Sequence, residues 1–242
     1  MTANSAIQEY VARQDNFGVQ LRRQIMRTLI RQIPFRMCDI NITGTENIPD
    51  TGPTIVMMNH ISALDPGLIM GAVTNRFVVP MTKIENTYHL PGKLTVWWWD
   101  AYTVRRGEVD RAALLNSIEL LKSGQCLLLA PEGTRQRSGL SRPKEGVVYL
   151  ATKADAVVVP VGISGAIGWK EKWMKFQRPH IDIHFGRPFR FKPAEGRRVP
   201  REDLTAMTDE AMYQLATVVS DESMRGIYSD LSKASARFLE FI

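Results

Sequence analysis

Short apolar segments alternate with helix-length segments along the chain, and this alternation limits the folds that the chain can adopt. The apolar segments have the length of strands that are buried on both faces of a sheet. They are TIVMMN (54–59), RFVVPMT (76–82), QCLLLAP (125–131) and AVVVPVGIS (156–164). A further segment, HIDIHFG (180–186), alternates between apolar and polar residues as a half-buried strand does. The sequence therefore predicts an α/β fold with a mostly parallel central sheet flanked by helices.

The chain is long enough for one full hydrophobic core. It has 242 residues, of which 44% are hydrophobic. We divide it into an N-terminal helical segment, residues 1–36, and an α/β domain, residues 37–242. Its two cysteines, Cys38 and Cys126, cannot form a disulfide framework, and Cys126 lies in an apolar strand-like run. A reduced protein on the cytosolic side is therefore expected.

Residues 17–33, FGVQLRRQIMRTLIRQI, have the periodicity of a basic amphipathic helix. An apolar stripe recurs at every fourth position, at Phe17, Leu21, Ile25, Leu29 and Ile33. Met26 and Ile30 widen the stripe, and arginines lie beside or opposite it, at Arg22, Arg23, Arg27 and Arg31. Such a helix either lies in a membrane interface or packs its stripe on the core and exposes its arginines to water. The sequence leaves both arrangements open.

A formal net charge of +6 indicates an anionic partner, which is nucleic acid, a lipid surface or a phosphorylated substrate. We find no RNA-binding aromatic motif, zinc-finger spacing or lysine-rich tail, so nucleic acid is not expected. No apolar stretch reaches the roughly 20 residues that span a bilayer, and the N-terminus lacks the layout of a secretion signal. Three consecutive tryptophans, Trp97–Trp99, are either a membrane contact or part of a core or tunnel wall.

His60 and Asp65 directly follow a predicted strand, in the stretch NHISALD. Open α/β sheets bind their ligands beyond the carboxyl ends of the strands. We expect Asp65 to be the N-cap of the next helix, with Pro66 at the first helical position. From there its carboxylate can bind one nitrogen of His60 and leave the other free to accept a proton. The alternative is a helix-capping aspartate beside an ordinary loop histidine.

Charged and polar residues also follow the other predicted strands. They are Lys83, Arg105 and the loop residues Glu132, Gly133, Thr134 and Arg135. Arginine suits a phosphate monoester, and a glutamate at position 132 can orient an arginine or accept a hydrogen bond from a substrate hydroxyl. Each stretch taken alone is typical of a solvated basic loop. Because the carboxyl ends of parallel strands meet at one edge, we expect these residues to converge with His60 on one cleft.

Four blocks, NHISALD, TVRRG, PEGTR and VVVPV, occur in an order and spacing that resemble the glycerolipid acyltransferases. The branch that the chain resembles is that of the PlsC-type 1-acyl-sn-glycerol-3-phosphate acyltransferases. Smaller stretches match it too, namely MTKIE followed by PG, RGEVDRAA, PKEG and FGRP. The resemblance covers roughly residues 40–190 and identifies residues 37–242 as an acyltransferase domain.

The resemblance implies transfer of a fatty acyl group from acyl-CoA or acyl carrier protein (acyl-ACP) to the free hydroxyl of lysophosphatidic acid, which gives phosphatidic acid. It assigns His60 as the general base and Asp65 as its orienting partner. The residues implied in binding the acceptor or its phosphate are Lys83, Arg105, Glu132, Gly133, Thr134 and Arg135. Pro160 matches the fourth block, which is linked to the acyl side or to the shape of the site. The resemblance implies no metal and no cofactor, since the acyl donor is a co-substrate.

The chain also departs from the family pattern. Ala130 stands where the third block often opens with an aromatic residue, and only the amphipathic segment stands where many relatives carry hydrophobic N-terminal segments. The expected partners are a lysophospholipid, the acyl donor and an anionic membrane surface, which the chain meets from the cytoplasmic face as a peripheral or monotopic protein. Two alternatives stay open: an acyltransferase for another acceptor, such as glycerol-3-phosphate or another lysophospholipid, and a catalytically silent homologue that binds lipid or membrane.

Overall fold

The structure, a computed structural model, describes residues 3–88, 90–104, 111–192 and 200–242. The helices are α1 (Ala3–Gln14), α2 (Phe17–Gln32), α3 (Pro34–Met37), α4 (Asp65–Ala72), α5 (Leu90–Trp99), α6 (Arg111–Lys122), α7 (Gly146–Ala154), α8 (Trp169–Met174) and α9 (Arg201–Val218). The strands are β1 (Asp39–Thr43), β2 (Thr54–Met58), β3 (Val78–Lys83), β4 (Tyr102–Val104), β5 (Cys126–Leu129), β6 (Val157–Ser164), β7 (His180–Phe185), β8 (Phe189–Phe191) and β9 (Leu239–Phe241).

Within the described residues the strands form one nine-stranded sheet, whose main path runs β1-β7-β6-β2-β5-β3-β4. Strands β6, β2, β5, β3 and β4 are parallel, and β7 is parallel to β1 but antiparallel to β6. β8 and β9 form an antiparallel pair beside β6. The predicted α/β fold with a mostly parallel sheet is therefore confirmed.

The central strands are almost wholly apolar, as expected for strands that are covered on both faces of a sheet. Every residue of β2, β5 and β6 is buried, which is the pattern of strands inside a parallel sheet. Strand β7 buries only alternate residues, Ile181, Ile183 and Phe185. The parallel strands place the carboxyl ends of β2, β5, β3 and β4 side by side, and His60 follows β2 at this edge.

Helix α2 turns the apolar stripe outward. Its five residues are all exposed, from 40% for Ile25 to 78% for Phe17. Val19 is buried on the opposite side, and Met26 and Ile30 pack against the core. The alternative in which the stripe packs on the core is therefore wrong for these five residues and holds only for Met26 and Ile30, which widen the stripe. No helix in the described ranges is both long enough and apolar enough to cross a membrane.

Two arginines of α2 bind backbone carbonyl groups at the end of α4. Arg31 donates to the carbonyl oxygen of Gly71 at 2.9 Å. Arg27 donates to the carbonyl oxygens of Val73 and Thr74 at 3.3 and 3.1 Å. The last carbonyls of a helix lack partners within the helix, and cations there are stabilised by its dipole. The basic side of α2 thus fixes it to the helix that begins at Asp65.

A buried polar cluster joins α1 and α2 to the end of α5. Arg23, 1% exposed, donates to the carbonyl oxygen of Trp99 at 2.7 Å and to the side chain of Gln14. Gln14 donates to the carboxylate of Asp100 at 2.8 Å, and the hydroxyl of Tyr10 donates to the Asp100 carbonyl at 2.5 Å. Because a buried guanidinium is costly unless it is hydrogen-bonded, these contacts define one packing of the N-terminal helices. The division of the chain at residue 36 stays a prediction.

A proline and a glycine lie inside a helix in the segment after β3. Ile84–Tyr88 is a 3-10 segment, and Pro91 and Gly92 lie in the first turn of α5. The first turn tolerates proline because its N–H groups have no partner within the helix. Near the C-terminus, residues 228–239 hold a 3-10 segment, Leu231–Lys233, and the start of β9.

The three consecutive tryptophans of α5 lie in different environments. Trp99 is fully buried, and its indole N–H donates to the carbonyl oxygen of Val78 at 2.7 Å. Trp97 is 59% exposed, and the guanidinium of Arg22 lies 5.1 Å from the centre of its ring. Trp99 is thus a core residue, whereas Trp97 lies on the surface beside α2.

Candidate active site

Asn59 sets the direction in which the chain leaves β2. It is buried, and its side chain exchanges two hydrogen bonds with the backbone of Ile163 in β6. Nδ2 donates to the carbonyl oxygen at 2.9 Å, and Oδ1 accepts from the N–H at 2.7 Å. The side chain thus continues the ladder that the two strands form up to Met58 and Val161. His60, the next residue, begins its loop from a fixed point at the edge of the sheet.

His60 and Asp65 are in direct contact. The Nδ1 atom of His60 lies 2.9 Å from Oδ2 of Asp65, and the aspartate side chain is fully buried whereas the histidine is 19% exposed. The same Oδ2 accepts from the backbone N–H groups of Ile61 and Ser62, each at 2.7 Å. Three donors on one oxygen fix the carboxylate, and the carboxylate fixes the ring. A neutral imidazole that donates from Nδ1 presents the lone pair of Nε2.

Asp65 is not the predicted N-cap of α4. Leu64 holds that position, Asp65 is the first helical residue, and no side chain caps the helix. The carboxylate accepts from Ile61 and Ser62, which precede the helix, instead of from N–H groups of its first turn. The helix-capping part of the alternative is therefore wrong, and Asp65 contacts the ring of His60 instead.

The loop after β5 is bound to the loop that holds His60. The N–H of Gln136 donates to the carbonyl oxygen of His60 at 2.7 Å. The turn between β5 and Gln136 contains Gly133, whose φ of +72° lies in the left-handed region that favours glycine. Strand β5 pairs directly with β2, so the two loops leave neighbouring positions of the sheet edge. The structure thus brings His60 together with the loop that holds Glu132 to Arg135.

Glu132 is buried under this loop. Its Oε1 accepts from the N–H and the hydroxyl of Ser141 at 2.8 and 3.3 Å. Burial raises the pKa of Glu132, while the Ser141 N–H, the nearby His60 N–H and the Ser141 hydroxyl oppose that shift. Its Oε2 is buried without a hydrogen-bond partner in the described part of the chain. Among the residues that the structure describes, Glu132 therefore orients no arginine, and one oxygen is left for a further donor.

A segment near the C-terminus holds the stretch that precedes Ser141. The N–H of Leu140 donates to the carbonyl oxygen of Met224 at 3.0 Å, and the carbonyl oxygen of Leu140 accepts from the N–H of Ile227 at 3.2 Å. Both backbone groups of Leu140 are thus satisfied by one segment, much as in a sheet ladder.

Two glycines allow this close contact. Gly139 and Gly226 have positive φ values of +106° and +54°. A Cβ atom on Gly139 would lie 2.9 Å from the Cα of Gly226, and one on Gly226 would overlap the carbonyl oxygen of Leu140. Residues beyond about 195, to which the sequence assigned no role, therefore help to position the partner of Glu132.

The rest of the 132–135 loop faces solvent. Thr134 and Arg135 are exposed, and the Thr134 hydroxyl accepts from Gln136 Nε2 at 3.2 Å. Arg135 has no carboxylate partner among the residues that the structure describes. The side chain of Lys144 packs against the turn, since a Cβ on Gly133 would lie 3.2 Å from its Cε. Arg135 and Lys144 are thus two of the cationic residues of this loop region.

The remaining predicted site residues differ in their positions. Lys83 is the last residue of β3, beside β5. Arg105 directly follows β4 but lies outside the described residues. Pro160 is buried inside β6, opposite Met57, and does not lie at the strand ends. Its predicted link to the acyl side stays a prediction.

Sequence reasoning missed three residues that support the site: Asn59, Ser141 and Gly226. Asn59 had a signal, because an amide at the end of a buried strand needs hydrogen-bond partners. Ser141 and Gly226 act through contacts with residues distant in the chain, and neither stands in a pattern that would reveal those contacts.

Comparison with known proteins gives a family and a fold. A family model described as Acyltransferase matches residues 39–164. A 1-acyl-sn-glycerol-3-phosphate acyltransferase of Borreliella burgdorferi is 31% identical over 126 residues, which are 50% of this chain and 50% of that protein. The alpha form of the human enzyme of that name is 25% identical over 209 residues, 84% of this chain and 72% of that protein. The chain thus spans about half the length of the Borreliella relative.

A crystal structure shares the fold. It is that of the 1-acyl-sn-glycerophosphate (LPA) acyltransferase PlsC from Thermotoga maritima, with a TM-score of 0.59 at 23% identity, covering 86% of this chain and 84% of that one. The family model contains both His60 and the loop that follows β5, and it matches more than half of the chain. The chain therefore belongs to the acyltransferase family.

Proposed function

We propose that the chain is an O-acyltransferase that moves a fatty acyl group from a thioester to the free hydroxyl of lysophosphatidic acid, giving phosphatidic acid. The observation that carries the proposal is the contact between His60 and Asp65 at the carboxyl edge of the sheet. The names of the relatives supply the acceptor, because they are 1-acyl-sn-glycerol-3-phosphate acyltransferases. The donor is acyl-CoA or acyl-ACP.

In this proposal His60 is the general base. Its Nε2 removes the proton from the acceptor hydroxyl as that oxygen attacks the thioester carbonyl. An ester C–O bond forms, the C–S bond breaks, and the leaving thiolate takes the proton back from His60. Asp65 holds the ring in the tautomer that this requires and stabilises the imidazolium. A positioned base of this kind accelerates a reaction by about 10²–10⁴.

Direct transfer fits the side chains around His60 better than an acyl-enzyme does. The hydroxyl of Ser62 is buried and accepts from the N–H of Leu64 at 3.2 Å. Cys38 and Cys126 are both buried. Burial raises the pKa of the Cys126 thiol to about 12 and also raises that of Cys38, so neither forms the reactive thiolate readily. The acceptor hydroxyl is then the nucleophile.

The acceptor phosphate requires cations near the base. Arg135 is exposed and has no acidic partner in the described ranges, and Lys144 packs against Gly133 in the same loop region. Lys83 is the last residue of β3, the next strand along the edge, and Arg105, outside the described residues, follows β4 in the sequence. We propose that these cations hold the phosphate, with Gly133 and Thr134 shaping the turn.

Glu132 has a separate proposed role. Its Oε2 is buried and has no partner among the described residues, while its Oε1 is held by Ser141. An unpaired buried acceptor is unfavourable until a donor reaches it. We propose that a hydroxyl of the acceptor supplies this donor. Pro160 is proposed to shape the sheet beneath the site.

The exposed apolar stripe of α2 supports contact with a membrane. Its residues are exposed, whereas Val19 and Arg23 on the other side of the helix are buried and Met26 and Ile30 pack against the core. Burial of such a stripe in the headgroup region is favourable, and the positive net charge attracts anionic lipid. We propose a peripheral position at the cytoplasmic face, where a lysophospholipid can enter the site from the bilayer.

The first experiment measures thiol release from a long-chain acyl-CoA, with and without lysophosphatidic acid, for the wild type, His60→Ala and His180→Ala. His180 is a matched control, because it also binds an aspartate, Asp39, at 2.8 Å but lies exposed on β7. We expect release that requires the acceptor, a loss of about 10²–10⁴ for His60→Ala and no change for His180→Ala.

Substituting acyl-ACP, and then a panel of acceptors, separates the alternatives. Activity with acyl-ACP alone would identify the carrier protein as donor. Activity with glycerol-3-phosphate or another lysophospholipid alone would replace the proposed acceptor. No activity with any pair would overturn the proposal and favour a lipid-binding homologue without catalysis.

A further inference from the structure

The connection between β6 and β7 presents a second exposed apolar surface. Met174 is 73% exposed and Phe176 is 99% exposed. Three lysines lie around them in the chain and are exposed too: Lys170, Lys172 and Lys175. We call these five residues the α8 tip. A fully exposed aromatic ring beside exposed lysines is an unusual use of a phenylalanine, because such rings are normally packed.

The α8 tip is a fixed turn. The N–H of Phe176 donates to the carbonyl oxygen of Trp173, and the N–H of Gln177 donates to that of Lys172, both at 2.9 Å. Phe176 itself has a left-handed backbone, with a φ of 56°. Glycine and asparagine adopt this conformation readily, whereas a bulky residue is an outlier there. The exposed ring makes no packing contact that would offset this strain, so the isolated fold gains nothing from phenylalanine at this position.

The α8 tip is anchored beside the end of the apolar stripe. Trp173 packs against the core, and its indole N–H donates to the carbonyl oxygen of Met37 at 3.0 Å. Arg178 donates to the carbonyl oxygen of Cys38 at 2.6 Å. Met37 ends α3, is itself 39% exposed and stands one helical turn beyond Ile33, the last residue of the stripe. The two exposed apolar surfaces therefore adjoin.

We propose that the α8 tip is a second membrane contact, in which Phe176 and Met174 enter the boundary between headgroups and acyl chains of an anionic bilayer. The lysines then bind lipid phosphates. The proposal rests on the membrane contact suggested for α2, since the two surfaces adjoin and a bilayer covers both at once. Amphipathic surfaces of this kind combine apolar burial with attraction to anionic lipid. Two contact points restrict the tilt of the chain on the membrane more than one helix does.

The first test compares Phe176→Asn with the wild type in sedimentation with vesicles of phosphatidylglycerol and phosphatidylcholine. Asparagine suits the left-handed backbone, so the variant should unfold at the same or a higher temperature. Vesicle affinity should fall about tenfold, the order expected for one apolar side chain. Each of the lysine-to-glutamine substitutions should weaken binding about fivefold, and only with anionic vesicles. Leu115→Gln, at a leucine that is 60% exposed on α6, is the control and should bind as the wild type does.

The second test places a polarity-sensitive fluorophore on Phe176→Cys. Both native cysteines are buried, so the new thiol is labelled selectively. Insertion predicts a blue shift on addition of vesicles and quenching by lipids that carry spin labels on their acyl chains. A shift caused by an acidic carrier protein, without a response to vesicles, would overturn the proposal and identify a protein-docking surface.

These outcomes are separate from those of the acyl transfer assay. If Phe176→Asn binds vesicles as tightly as the wild type while Leu29→Gln in the stripe binds more weakly, the α8 tip is not a contact although α2 is. If vesicle binding responds as expected while no acyl transfer is found with any donor or acceptor, the membrane contact stands and the proposed reaction falls.

Discussion

The backbone N–H of Gln136 donates to the carbonyl oxygen of His60 over 2.7 Å, and this bond joins two loops that leave neighbouring parallel strands. One loop holds the proposed base, and the other holds the residues proposed to bind the acceptor. Each loop also has its own support, from Asn59 and Asp65 on one side and from Ser141 on the other. The distance between base and acceptor is therefore fixed by the protein before a substrate arrives, which is what positional catalysis requires.

His60 and Asp65 are expected to act as one unit. His60→Ala should lower kcat/KM by about 10²–10⁴, and Asp65→Asn should lower it too, because the amide is a weaker partner for the ring. The double variant should fall little further than His60→Ala alone, since residues that serve one proton transfer are not additive. Steady-state kinetics of the four proteins test this expectation. Multiplicative losses would show that Asp65 acts independently of His60.

Glu132→Gln should stabilise the fold at neutral pH while it weakens acyl transfer. Burial raises the pKa of Glu132 above its ordinary value of 4.5. Between the ordinary pKa of the unfolded state and the raised pKa of the native state, the native state binds more protons than the unfolded state. The free energy of unfolding therefore falls as the pH rises through this window. Glutamine does not ionise and can still accept from Ser141. The melting temperature of the Glu132→Gln variant should exceed that of the wild type at a pH of about 7.5, and the difference should shrink at a pH of about 4. A gain that increases toward acid would contradict this explanation.

Gly226→Ala should damage both stability and acceptor binding. The added Cβ would overlap the carbonyl oxygen of Leu140, and the backbone at Gly226 has a positive φ. We expect a loss of about 1–3 kcal/mol in the free energy of unfolding. The acceptor KM should rise more than kcat falls, because the displaced stretch leads to Ser141 and Glu132.

Gly146→Ala is the control for this substitution. Gly146 begins α7 without a positive φ, and an added Cβ there would meet no heavy atom within 4 Å among the described residues beyond its own helix and chain neighbours. Denaturant unfolding and kinetics should leave that variant close to the wild type. Unchanged acceptor kinetics in Gly226→Ala would show that the C-terminal segment does not position the loop.

Substitutions on the two sides of α2 should have opposite consequences. Ile25→Gln and Leu29→Gln change exposed residues, so vesicle binding should weaken while the melting temperature is retained. Ile30→Gln changes a side chain that packs against the core, and we expect it to reduce the free energy of unfolding by about 1–3 kcal/mol. Sedimentation and thermal unfolding of the three variants distinguish the sides. Equal vesicle binding by Leu29→Gln and the wild type would argue against a membrane contact of the stripe.

Much of the sheet could be predicted because the signal lies within each segment. TIVMM at β2 and CLLL at β5 are short, almost wholly apolar runs, which are typical of a strand that is covered on both faces. His60 and Asp65 lie close in sequence at the end of β2, so local geometry alone brings them within reach. The pairing of β7 with β1, and of β8 with β9, joins segments that are distant in the chain and could not be predicted in this way.

The sequence by itself determined which residues share a face, since the periods of strand and helix are local properties of the backbone. It determined in this way the buried strands, the apolar stripe of α2 and the nearness of His60 to Asp65. Only the tertiary structure decided which face is covered. Arg27 and Arg31 bind backbone carbonyls at and just beyond the end of α4, while Ile30 packs inward, so this side of α2 is covered and the stripe is exposed. It also decided that Gly226 supports the loop of Glu132, because that contact depends on the close approach of two distant backbones, which no local pattern encodes.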